Sequence, residues 1–120
     1  MQQKNYLDFA NEWVHAWNSH DLDNIMSHYS DMLQFTSPLI KQMGINEIGT
    51  ITNKAELKSY FEKGLQKYAD LRFELYHVLS GLNSVVLFYK SVNNMLSAEY
   101  MELNEDGKVI NVKAHYAAHQ

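Results

Sequence analysis

Apolar residues in the first part of the chain recur at three- and four-residue steps. Tyr6, Phe9, Ala10, Trp13, Ala16 and Trp17 form one stripe, which predicts an amphipathic helix from about Gln3 to Asn18. Asp8, Glu12 and His15 fall off that stripe and are expected to face solvent. Asn18-Ser19-His20-Asp21 interrupts the period, and Asp21 or Ser19 can cap a second helix that buries Leu22, Ile25, Met26 and Tyr29. The period then drops to two. Leu33, Phe35 and Ser37 share one face and Met32, Gln34 and Thr36 the other, which predicts a short strand ended by Pro38.

Leu39–Thr52 has no regular period and reads as an apolar loop carrying Gly44 and Gly49. Asn53-Lys54-Ala55-Glu56 is a capping box that opens a third helix to about Tyr68. Its buried stripe is Leu57, Tyr60, Phe61, Leu65 and Tyr68, and Gly64 on the same side is expected to admit a close crossing. Beyond Asp70 the chain alternates. Leu71, Phe73, Leu75, His77 and Leu79 fall on one face of the next strand. Turns at Gly81-Leu82-Asn83, Asn93-Asn94 and Asp106-Gly107 separate Ser84–Val92, Met95–Leu103 and Lys108–Ala117. In the last of these, Ile110, Val112, Ala114 and Tyr116 share a face. The fold class expected is α+β: a curved antiparallel sheet, a cone-like half-barrel, with three helices on its concave face and one domain over 1–120. The open mouth of such a half-barrel is a natural place for a ligand.

Composition removes several functions. The chain has no cysteine, so thiol nucleophiles, disulfides and thiolate metal sites are excluded. Net charge is −4, and the ten basic residues are scattered and include one arginine, Arg72, which argues against nucleic acid as a partner. No run approaches a membrane span, so no membrane partner is expected and a cytoplasmic location is. No helix pairs histidines at i, i+4; His115 and His119 fall on a strand end and the tail, and His20 and His28 are expected to be solvated. No metal and no cofactor is expected, since the glycines are dispersed and form no phosphate loop. Eight tyrosines, five phenylalanines and two tryptophans point either to a lined cavity or to a filled core.

Trp13-x-x-Ala16-Trp17-Asn18-x-x-Asp21-Leu22-Asp23, with Asp31, Pro38, Gly49, Phe61 and the Asp106-Gly107-Lys108-Val109 hairpin, resembles the nuclear transport factor 2-like superfamily, and within it the small SnoaL-like proteins. That superfamily includes ketosteroid isomerases, polyketide cyclases, epoxide hydrolases, dehydratases and non-catalytic association domains, so the resemblance implies a fold before it implies a reaction. It maps the isomerases' hydrogen-bond-donating tyrosine of the first helix to Trp13. Their general-base aspartate before the proline maps to Ser37, the protonated acid of the penultimate strand to Glu99, and an aromatic of the last strand to Tyr116. The acid is kept as a glutamate while the base is lost, which argues against steroid isomerisation. With Arg72 as the sole arginine, the Asp-Arg-Asp set of the epoxide hydrolases is also hard to build.

Glu99 is the sharpest candidate. On one register it faces the cavity with Ser97, Met101 and Leu103, and desolvation raises its pKa and suits it to act as an acid. On the flipped register it is a solvated edge charge and Tyr100 points in. His77 is read either as a base or as a core histidine, and Tyr116 and Tyr89 as phenol donors or as wall. Catalytic roles are thus expected for Glu99, Tyr116 and His77. Trp13, Trp17, Phe35, Ser37, Phe61, Tyr89, Met101 and Val112 are the expected ligand-binding residues. The partner expected is a small apolar ligand in an internal pocket. A homodimer is expected through the outer sheet face, with Val86, Phe88 and Val92 on it.

Overall fold

The computed structural model describes residues 6–117; the expected helix start at Gln3 and His119 lie outside them. Helix α1 is Tyr6–Ser19, and its apolar stripe is the buried face: Tyr6, Phe9, Ala10, Trp13, Ala16 and Trp17. It ends where His20 takes a left-handed conformation, and Asp21 then caps α2, Leu22–Met26, by accepting from the Asn24 amide. Strand β1 is Tyr29–Thr36.

The stretch expected to be a loop holds two short elements. Helix α3, Pro38–Gln42, starts on a Ser37 cap with proline in its first turn, and strand β2 is Thr50–Asn53. The helix count is therefore four. Helix α4, Lys54–Lys67, opens on Asn53, whose side chain accepts from the Glu56 amide at 3.0 Å.

Strands β3 (Glu74–Gly81), β4 (Ser84–Lys90), β5 (Leu96–Leu103) and β6 (Val109–Tyr116) form the meander. Asn93 and Asn94, both with positive φ, make the tight turn between β4 and β5, closed by the Met95 amide on the Val92 carbonyl. Gly107, at φ 76°, closes the last hairpin.

The six strands run in the order β2-β1-β6-β5-β4-β3. All neighbours are antiparallel except β1 and β6, which run parallel, so the sheet is mixed rather than wholly antiparallel. The chain returns through α4 and the meander to lay its last strand beside its first, in the same direction. Helices α1 and α4 cover one face, and the aromatic core lies between them and the sheet. Trp13 stacks on Phe73 with ring centroids 5.5 Å apart and meets Tyr89 edge-on at 5.3 Å. Each such pair adds about 0.5–1.5 kcal/mol beyond area burial. Among the described residues, no helix is long and apolar enough to cross a membrane.

Candidate active site

A cavity of about 60 Å³ lies between the helices and the sheet. Trp13 and Trp17 reach it from α1, Phe35 from β1, Phe61 from α4, Tyr89 from β4, Glu99 from β5 and Tyr116 from β6. Aromatic rings make up much of its wall, so the space left is narrow.

Glu99 is the charged side chain in that wall. It is 3% exposed, and register pairs it with Leu87 of β4 and Ala114 of β6 on the inner face. Strict alternation places Ser97, Met101 and Leu103 on the same side, and all three are buried. The Tyr89 hydroxyl donates to Glu99 Oε1 at 2.6 Å. Burial pushes the carboxyl up to about 7, and the Tyr89 bond acts the other way. The surrounding phenols are all raised well above their ordinary value, first by burial and next by the Glu99 charge for Tyr29, Tyr89 and Tyr116. These phenols therefore stay protonated near neutral pH, and among them Tyr89 donates to Glu99.

The indoles differ from one another. Trp13 Nε1 donates to the Tyr29 hydroxyl at 3.1 Å. The Trp17 N–H also lies near that hydroxyl, but not at hydrogen-bond geometry, and it is buried without a partner among the described residues. An unpaired buried donor costs about 1–3 kcal/mol.

Several expected residues stand elsewhere. His77 is exposed on the outer face, stacked on Phe88 with the rings 9° from parallel. A bulge between Leu75 and His77 is the cause: Leu75 pairs with inward Tyr89, whereas His77 pairs with outward Phe88. One extra residue moves His77 and Leu79 out and Val78 in, so His77 takes no part in the cavity. A second irregularity, between Glu102 and Leu103, buries Val109 in β6 and leaves Ile110 half-exposed. Ser37, Met101 and Val112 are buried but do not line the cavity. The Ser37 hydroxyl caps α3 by accepting from the Leu39 amide at 3.2 Å. Val92 is not on the outer sheet face: it belongs to the turn after β4 and lines the cavity.

Pattern reading did not single out Leu39, Met43, Ser91 or Val92 as lining, because they sit on α3 and on turns without a period. Two braces were also missed. Asn18 holds both backbone polar groups of Phe73, at 2.6 and 3.0 Å, and His20, expected to be solvated, bonds the Leu71 carbonyl through Nε2 at 2.8 Å. Among the described residues, no group of three or more histidine, aspartate or glutamate side chains is placed to hold a metal.

The SnoaL-like domain model matches residues 10–116. The chain belongs to the SnoaL-like family. A SnoaL-like protein of unknown function from Burkholderia thailandensis is 35% identical, with TM-score 0.92 and 98% of each chain covered. The SnoaL-like chain also shares its fold with an NTF-2 like protein of unknown function from Burkholderia xenovorans (18% identity, TM-score 0.78, covering 98% of this chain and 86% of that one). SalBIII, an epoxide hydrolase/cyclase-like enzyme with a role in pyran ring formation in the polyether salinomycin, is 15% identical with TM-score 0.79, covering 97% and 93%. At such identities the likeness concerns fold alone. No curated protein matches the chain.

Proposed function

We propose that this SnoaL-like protein performs acid–base chemistry, of isomerase, cyclase or dehydratase type, on a small apolar molecule bearing a carbonyl. The observation that carries this reading is Glu99: a carboxyl 3% exposed, in an aromatic cavity, with its pKa pushed up to about 7. Near neutral pH it exists in both forms. The neutral form gives a proton to a carbonyl oxygen, and the ionised form takes one from the adjacent carbon. Tyr89 holds the carboxyl in place, while Tyr116 and the Trp17 N–H are donors available to the carbonyl oxygen. The test follows deuterium uptake at the α-carbons of 2-octanone in D2O by NMR. Uptake above buffer with wild-type protein, and none above buffer with Glu99→Gln, is expected. Equal uptake by both proteins overturns the role of Glu99.

A second reading, a binding domain without turnover, is favoured by Ser37. It stands where the resemblance expects a base, and its hydroxyl is engaged in capping α3. Ligand-induced shifts of cavity resonances without deuterium uptake select this reading.

We also propose a homodimer through the outer sheet face. Tyr76 and Leu79 are 40% and 59% exposed there, next to half-buried Val86 and Phe88. Light scattering at micromolar concentration is expected to give a dimer mass for wild type and a monomer mass for Phe88→Glu. A monomeric wild type ends this proposal.

A further inference from the structure

The cavity lies beside a groove of about 450 Å³ formed by the chain between α4 and β3 and by the β4–β5 turn. Tyr68, Leu71, Ser91 and Val92 line both spaces, so the groove adjoins the cavity. The cavity is apolar apart from a few polar groups; the groove is charged. Lys67, Arg72 and Lys90 line it against Asp70 and Glu74, a local excess of one positive charge on a chain of net charge −4.

The cations are not equivalent. Lys90 is paired with Glu74 at 3.9 Å, and Lys67 lies over the Tyr68 ring at 5.6 Å. Arg72, the chain's one arginine, is exposed and makes no ion pair among the described residues. Its backbone is fixed from both sides. Leu71 and Phe73 bury their side chains in the cavity wall, and His20 and Asn18 hold their backbone groups. Alternation then sends Arg72 away from the wall and into the groove. A guanidinium on a braced backbone matches a carboxylate through two parallel hydrogen bonds and loses less freedom on binding than a lysine.

We infer that this groove is a second subsite, in which Arg72 takes the carboxylate tail of an amphipathic ligand whose carbonyl end enters the cavity. The inference rests on the proposed pocket function and names its substrate class: an oxo acid rather than a neutral ketone. Asp70 and Glu74 bound the subsite and disfavour a second negative charge on the tail.

The test compares 2-octanone, 7-oxooctanoate and methyl 7-oxooctanoate, read by quenching of Trp13 and Trp17, the chain's two tryptophans, which both line the cavity. The oxo acid is expected to bind at least about fivefold more tightly than its methyl ester, an advantage that shrinks in added salt. Arg72→Gln is expected to remove that advantage and leave 2-octanone binding unchanged; Arg72→Lys keeps part of it. Arg72 is exposed, so neither change threatens the fold. Equal binding of acid and ester, or an advantage that survives Arg72→Gln, overturns the subsite while leaving the pocket function standing. Failure of all three probes to perturb either tryptophan overturns the pocket function and the subsite with it.

Discussion

The Tyr89 hydroxyl donates to Glu99 Oε1 over 2.6 Å, and the two side chains come from neighbouring antiparallel strands as diagonal partners. Burial and this bond act in opposite directions on the carboxyl, and burial wins, leaving it at about 7. The folded protein thus holds the Glu99 proton more tightly than the unfolded chain, whose glutamate titrates near 4.5. The neutral carboxyl contributes stability in full below that value, and the contribution is lost as pH rises through about 7. At about 1.4 kcal/mol per pKa unit, roughly 3 kcal/mol is involved. Glu99→Gln keeps the acceptor and removes the titration. Urea unfolding of both proteins at pH 5 and pH 8 is expected to show wild type losing about 2 to 3 kcal/mol relative to the variant, because pH 5 already lies above the unfolded-chain value. An unchanged difference between them means that Glu99 is solvated.

Tyr89→Phe removes the donor and leaves the burial. The Glu99 pKa is then expected to rise further, with a stability loss of about 1 kcal/mol below it. The side-chain carboxyl carbon, followed by NMR through a pH titration, reads the shift directly. A fall in pKa means that water replaces Tyr89 and that the cavity is wet around the acid.

The inward orientation of Glu99 follows from plain alternation, since β5 has no irregularity between Leu96 and Glu102. Alternation was therefore enough to find the acid, once the face was chosen. It failed at His77 because the bulge after Leu75 has no signature in the local sequence: Tyr76 is neither glycine nor flanked by turn residues. Helix α3 and strand β2 are five and four residues long, too short to display a period, although Ser37-Pro38 carried the cap signal of a helix start. The parallel pairing of β1 with β6 is a long-range choice that no local pattern encodes. Consequently His77→Ala is expected to leave the Glu99 titration curve unchanged. A displaced curve means that the histidine is coupled to the cavity in spite of its outer position.

Gly64 was expected to permit a close crossing of α4 over a neighbour. Instead, a Cβ built there meets nothing within 4 Å, and the residue lines the cavity. Its backbone is helical, so Gly64→Ala is expected to stabilise the protein by about 0.5–1 kcal/mol through the unfolded-chain entropy it removes. The same methyl takes up part of a cavity of about 60 Å³. Thermal unfolding and 2-octanone binding, measured on one preparation, separate the two effects. A higher Tm with weaker binding means that the glycine keeps space for a ligand at the expense of helix stability. A lower Tm means that a neighbouring group packs against this turn of α4 and that the added methyl displaces it.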